Sequence, residues 1–134
     1  IVAGPAASFS MTYLKRGLIP DGGGLYFLPR RVGTTVAKEL IFSARTVAAD
    51  EAAMIGLADR LADAETLLDE ARNWAQSLCF GPPSAVALSK SIVNRSVDLT
   101  LETVFALGSE AQSICYASDE HHEAVTAFLD KKSR

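Results

Sequence analysis

Residues 17–33 read Gly17-Leu18-Ile19-Pro20-Asp21-Gly22-Gly23-Gly24-Leu25-Tyr26-Phe27-Leu28-Pro29-Arg30-Arg31-Val32-Gly33. A Pro-Asp turn leads into three consecutive glycines, and residues that can start a helix follow them. Two glycines would suffice for a tight turn, so the third indicates that another group approaches the backbone closely here. The stretch therefore predicts a loop at residues 17–24 that comes close to a second group.

The composition is typical of a globular domain. The 134 residues carry a formal charge of −3, and the absence of a long basic run argues against nucleic acid as a partner. No apolar run reaches the ~18 residues that a membrane span needs. The two cysteines, Cys79 and Cys115, lack the spacing of a metal site and fit a reducing compartment. We therefore predict a cytoplasmic protein without a nucleic-acid, membrane or metal partner.

The hydrophobic pattern divides the chain into a front with short strands and a helical remainder. Val36, Leu40 and Ile41 form one apolar face of the first predicted helix. Ser84 and Thr100 stand where the N-caps of later helices are expected. The predicted elements are strands at 1–3, 8–11 and 57–62, a loop at 17–24, a helix after residue 33, a helix at 50–55 ended by Gly56, and helices at 64–78, 85–94, 99–116 and from 118 onward.

Residues 17–33 resemble the acyl-CoA site loop of the enoyl-CoA hydratase/isomerase (crotonase) family, which typically reads Gly-Leu-hydrophobic-Pro-x-x-Gly-Gly-x-x-x-Leu-Pro-Arg-x-x-Gly. Residues 47–59 and 118–131 are similar to two further recurring segments of that family. The resemblance implies an α/β fold, the crotonase-like ββα spiral, with residues 1–62 as the end of its core and 63–134 as a helical trimerisation region. Because family members are considerably longer and this chain opens in mid-strand, we expect it to be the C-terminal half of a larger protein.

The resemblance also implies a chemistry. Crotonase-like enzymes hold a coenzyme A thioester with its carbonyl oxygen between two backbone N–H groups, and carboxylates then move protons. One donor and one customary glutamate are expected from a segment that precedes these residues. The acyl-CoA thioester is the substrate, and no separate cofactor is expected. The implied assembly is a homotrimer, or a hexamer built as a dimer of trimers.

Tyr13 occupies the position at which hydratases of the family carry their second glutamate. Adding water to a double bond needs paired carboxylates, and a phenol with a pKa near 10 is a poor base at neutral pH. We therefore expect Tyr13 to be an aromatic side chain of the pocket wall or the core. The substitution argues against hydration.

Asp21 is the candidate catalytic base. In isomerase branches of the family an Asp at this position moves a proton, and one carboxylate suffices for a double-bond shift. An Asp just before a helix is also a preferred N-cap, so both roles stay open. Gly22 and Gly23 are expected to line the substrate pocket. A phosphate cradle is less well supported, because the Lys of a P-loop is absent.

The last helix carries two candidate CoA-binding residues. Phe128 and Lys131 map onto a Phe and a Lys that reach the CoA of a neighbouring subunit in the family. The alternatives are core packing for Phe128 and a favourable charge at the helix C-terminus for Lys131. His121 and His122 are adjacent on a helix, so their side chains diverge by about 100° and cannot share a metal ion.

Double-bond isomerisation of an enoyl- or dienoyl-CoA is the function that these residues favour. A hydratase whose preceding segment compensates for Tyr13 is the alternative enzyme. A non-catalytic assembly or binding module is the alternative outside enzymes. If half of a layered core is absent, apolar side chains such as Phe9, Leu18 and Leu28 should be left uncovered.

Overall fold

The computed structural model describes the backbone of residues 1–132 and the side chains of residues 1–130. The chain forms two compact units, of which the first is Ile1–Trp74 and the second begins at Ala75. This boundary falls inside a helix rather than at residue 62. The predicted division into a spiral core at 1–62 and a trimerisation region at 63–134 stays a prediction.

The first unit contains two pairs of short strands. Strand β1 (Val2–Ala3) pairs in parallel with β4 (Arg60–Leu61), and β2 (Ser8–Ser10) pairs antiparallel with β3 (Thr46–Ala48). The strands predicted at 1–3 and 8–11 are confirmed, and the one predicted at 57–62 is confirmed over two of its residues. The parallel pair joins residues that are distant in sequence, which is the arrangement expected of an α/β fold.

The helix after the glycine loop is longer than the sequence predicts. Helix α1 spans Gly24–Ser43 and is interrupted at Gly33, where φ is 78° and ψ is 159°. The helix predicted after residue 33 is therefore confirmed, and helical structure already begins at Gly24, directly after the glycine turn. Pro29 lies inside this helix, where a proline removes one backbone hydrogen bond. The pattern recognised only the part of α1 that follows the break.

Small apolar side chains dominate the core of the first unit. Leu40 and Ile41 are buried as predicted. Leu28, expected to be uncovered, is buried too, at 6% exposure. The prediction of an uncovered Leu28 is therefore wrong, because the early start of α1 turns that side chain into the core. Leu18 is 56% exposed as predicted, and Phe9 is half-buried. The buried core comprises Ala3, Leu28, Ala37, Leu40, Ile41, Val47, Ala52 and Ala58.

An arginine joins the end of α1 to the next helix, α2 (Ala49–Met54). The Arg45 guanidinium donates to Glu39 through Nε at 2.7 Å and to Glu51 through Nη2 at 2.6 Å. These hydrogen bonds lower the pKa of both carboxyls. Helix α2 has no side-chain cap at Ala48, and Gly56 follows it with a φ of 77°. The glycine stop predicted at Gly56 is confirmed.

The remaining helices are α3 (Leu67–Ser77), α4 (Pro83–Ser96), α5 (Leu101–Tyr116) and α6 (Asp119–Lys132). Thr100 caps α5 as predicted, since its Oγ1 accepts from the Thr103 N–H at 3.3 Å. The cap predicted at Ser84 is wrong, because α4 begins at Pro83, two residues earlier than predicted, and Pro82 occupies the N-cap. Proline suits the first helical position because its φ is fixed in advance. In the part of the chain that the structure describes, no helix combines the length and apolar character that a membrane span requires.

Candidate active site

The loop before α1 is held by its own backbone. A 3₁₀ helix at Thr12–Arg16 ends at Gly17 with a φ of 68°, and the Leu18 N–H donates to the Tyr13 carbonyl at 3.2 Å. The turn closes where the Gly24 N–H donates to the Asp21 carbonyl at 2.8 Å. Residues 17–23 thus form the loop that the sequence predicts, and it ends one residue earlier than expected.

Each of the three glycines has its own structural reason. Gly22 and Gly23 have φ values of 55° and 86°, a region that side chains with a Cβ rarely adopt. A Cβ on Gly23 would lie 2.7 Å from the Phe27 ring, and one on Gly24 would lie 3.1 Å from Pro20. The close approach predicted from the third glycine is therefore present, and the approaching groups belong to the same chain.

Tyr13 and Asp21, which the sequence suggests separately, are in direct contact. The Tyr13 hydroxyl donates to Oδ1 of Asp21 at 2.6 Å. The hydrogen bond and the negative charge of the carboxylate raise the pKa of Tyr13 above its usual value. Tyr13 is thus a protonated hydrogen-bond donor at neutral pH, as its chemistry suggested. The pair could not be predicted from the sequence, because residues eight apart across an irregular turn follow no helix or strand periodicity.

The carboxylate of Asp21 does not cap the following helix. Gly23 occupies the N-cap position of α1, and no side-chain cap hydrogen bond is present there. The N-cap interpretation of Asp21 is therefore wrong, since its side chain accepts from Tyr13 instead. The carboxylate lies in an exposed part of the loop. Its role as a base stays a prediction.

An open cleft of about 500 Å³ lies beside the glycine loop. Both basic side chains at its edge are engaged: Arg30 stacks 3.5 Å from the centre of the Tyr26 ring, and Arg31 pairs with Asp59 at 2.7 Å. The lining is mainly apolar and includes glycine backbone. It consists of Ile1, Met11, Gly22, Gly23, Gly24, Phe27, Leu28, Arg30, Arg31 and Leu57.

The candidate CoA contact Phe128 lies on the surface of the second unit. Its side chain is 66% exposed, so the alternative of core packing within the described chain is wrong. Phe128 borders a cleft of about 660 Å³ together with Phe80, Pro82 and Glu120. The side chain of Lys131 lies outside the described residues. Contact of either residue with CoA stays a prediction.

The adjacent histidines form ring contacts with each other and with an aromatic neighbour. The ring centres of His121 and His122 lie 5.7 Å apart, and His121 also meets the edge of Tyr116 at 5.0 Å. Among residues with described side chains, no group of three His, Cys, Asp or Glu is arranged to hold a metal ion.

Comparison with known proteins supplies the family. The sequence profile of enoyl-CoA hydratase/isomerase matches residues 1–134. The chain belongs to the enoyl-CoA hydratase/isomerase family. A short-chain-enoyl-CoA hydratase from Clostridium acetobutylicum is 35% identical over 131 residues, which are 98% of this chain and 50% of that protein. A 1,2-epoxyphenylacetyl-CoA isomerase from Escherichia coli K12 is also 35% identical, over 99% of this chain and 51% of its own length.

The family fold is supported by solved structures. The crystal structure of an enoyl-CoA hydratase/isomerase from Cupriavidus metallidurans CH34 matches with a TM-score of 0.89 and 43% identity, over 97% of this chain and 49% of that chain. The predicted crotonase-like α/β fold is therefore confirmed. This family member spans about half the length of the relatives that it matches.

Proposed function

We propose that the whole protein is an acyl-CoA double-bond isomerase in which Asp21 is the proton-transferring base. The observation that carries the proposal is the Tyr13–Asp21 hydrogen bond, at 2.6 Å. Asp21 is then the one carboxylate of the pair, because Tyr13, at the position of the second glutamate of hydratases, is a phenol that donates a hydrogen bond. The E. coli relative is named as an isomerase of 1,2-epoxyphenylacetyl-CoA, which supports isomerisation of an acyl-CoA in general.

The proposed reaction needs only one carboxylate. Asp21 removes a proton from the α-carbon of a β,γ-unsaturated thioester, and the C–H electrons form a double bond between Cα and the carbonyl carbon. The carbonyl π electrons move to the thioester oxygen, where backbone N–H donors stabilise the negative charge. When this enolate collapses, the carbonyl and a Cα–Cβ double bond form, and the electrons of the former Cβ–Cγ double bond take the same proton back from the carboxyl group at Cγ. No atom is gained or lost, so no separate cofactor is part of the proposal.

The proposed substrate and assembly follow the family. An acyl-CoA thioester is the substrate, and a homotrimer or a dimer of trimers is the assembly. Phe128, with Lys131 after it on α6, is proposed to contact the CoA of a neighbouring subunit. The 66% exposure of the Phe128 side chain supports this role, because the ring is available to a partner.

Asp21→Asn in the whole protein tests the proposal, because it removes the base while nearly preserving side-chain volume. We expect isomerase activity on an enoyl- or dienoyl-CoA to fall by about 10²–10⁴-fold, the usual contribution of a positioned acid–base group. Asp50→Asn removes another exposed carboxylate, in α2, and should leave the rate unchanged. An unchanged rate in Asp21→Asn would exclude Asp21 as the base.

Hydration is the second candidate activity, because the Clostridium relative is named as a hydratase. The same preparations should therefore be assayed for water addition to a short enoyl-CoA. If hydration exceeds isomerisation in the wild type, the protein is a hydratase and its second carboxylate must come from outside residues 1–134.

A further inference from the structure

We infer that Tyr13 is a positioning residue that fixes the carboxylate of Asp21 for proton transfer. This inference rests on the proposed role of Asp21 as the base. The contact is a short O–H to carboxylate hydrogen bond of 2.6 Å between residues that are eight apart in the sequence. Hydrogen bonds of this kind, with one charged partner, are about twice as strong as neutral ones.

The position of Asp21 makes a restraint on its side chain necessary. Asp21 is exposed and is followed directly by Gly22 and Gly23. Glycine is the residue type whose backbone is least restricted. In the described part of the chain its carboxylate makes no ion pair and accepts no hydrogen bond other than the one from Tyr13. Without that bond the side chain could rotate freely. A base that acts on one carbon and then on another has to keep a defined orientation.

Tyr13 is well suited to supply the restraint. Tyr13 is half-buried and belongs to the 3₁₀ helix Thr12–Arg16. Its backbone carbonyl accepts from the Leu18 N–H at 3.2 Å. A tyrosine side chain has few rotatable bonds, so it loses little conformational entropy when it holds a partner. The hydroxyl binds Oδ1, which leaves Oδ2 of Asp21 as the oxygen that can receive a proton. The proton of Tyr13 itself is retained, since the carboxylate raises its pKa.

A purely structural role would use the same bond to hold the loop closed. Tyr13→Phe separates the two roles, because it removes the hydroxyl and keeps the ring. For a positioning residue we expect kcat to fall about tenfold to a hundredfold, with KM within about twofold of the wild type and an unchanged melting temperature. Tyr116→Phe, in the second unit, is the matched hydroxyl deletion and should leave kcat unchanged.

The outcomes distinguish this inference from the proposed function. If Asp21→Asn is inactive while Tyr13→Phe retains the wild-type kcat, the positioning role is wrong and the base is still supported. If kcat, KM and melting temperature all change together in Tyr13→Phe, the bond is a structural tie and the inference is overturned. If Asp21→Asn is fully active, Asp21 is not the base, and the proposed function and the positioning role of Tyr13 are both wrong. The inference is supported only by loss of kcat alone in Tyr13→Phe together with loss of activity in Asp21→Asn.

Discussion

The Tyr13–Asp21 contact joins two side chains for which the sequence suggests unrelated roles. Because the pKa of Tyr13 is raised by the carboxylate, the folded protein favours the protonated phenol. The stabilisation is complete below the ordinary tyrosine pKa and is lost as the pH rises through the higher folded value. At neutral pH the hydrogen bond is therefore fully present, which is the condition that the positioning role of Tyr13 requires.

Gly23 provides a direct test of the loop geometry. Its φ of 86° opposes a side chain, and so does the Phe27 ring, which would lie 2.7 Å from a Cβ at this position. Gly22 shares the positive φ, at 55°, but has open space around it. We expect Gly22→Ala to lower the free energy of unfolding by about 1–2 kcal/mol. Gly23→Ala should cost about 1 kcal/mol more, because the Phe27 ring has to move.

Chemical denaturation of the whole protein measures both glycine variants. The control is Gly23→Ala combined with Phe27→Leu, which removes the ring. The decrease in the free energy of unfolding should then be close to that of Gly22→Ala. If Gly23→Ala is as stable as the wild type, the left-handed conformation and the close ring contact are both contradicted.

The Arg45 bridge ties α1 to α2 and makes their docking sensitive to pH. Its hydrogen bonds lower the pKa of Glu39 and Glu51 from 4.5. Groups with a lowered folded pKa stabilise the fold above their ordinary pKa, and this contribution is lost as the pH falls through the folded value. We therefore expect Arg45→Met to lower the melting temperature clearly at pH 7, and to lower it less as the pH falls through the lowered pKa of the two carboxyls and they become protonated.

Arg72→Met is the matched control for the bridge. Arg72 meets Asp69 at 3.6 Å in a solvated i,i+3 pair, and such surface pairs contribute little. Melting curves of both variants across pH 3–7 provide the comparison. A melting-temperature loss in Arg45→Met that is independent of pH would show that the bridge acts through packing rather than charge.

Sequence patterns predict these elements well where local signals agree. Gly56 and Thr100 mark element ends through local backbone and cap chemistry, and the structure places both as expected. The first part of α1 is not among the predicted elements, since its glycines and Pro29 have low helix propensity. The wrong prediction of an uncovered Leu28 follows from that omission. The Tyr13–Asp21 pair depends on the path of an irregular turn, which no periodic pattern encodes.

The assembly of the whole protein depends on its surfaces and is the property that local sequence patterns predict least. Leu101 and Phe105 lie one turn apart on α5, and each is 67% exposed. Residues four apart share one helix face, so these side chains form an apolar surface of the kind that marks an interaction site. This surface is consistent with the proposed homotrimer or dimer of trimers.

Phe105→Lys tests whether that surface takes part in assembly. A charge buried in an apolar subunit contact is strongly unfavourable, so we expect light scattering of the whole protein to detect species smaller than the wild-type oligomer. Ser89→Lys introduces the same charge at an exposed polar position of α4 and should leave the mass unchanged. If Phe105→Lys keeps the wild-type mass, α5 does not form the contact. If the wild type itself is monomeric, the trimer proposal fails and the apolar side chains of α5 must be covered within the same molecule.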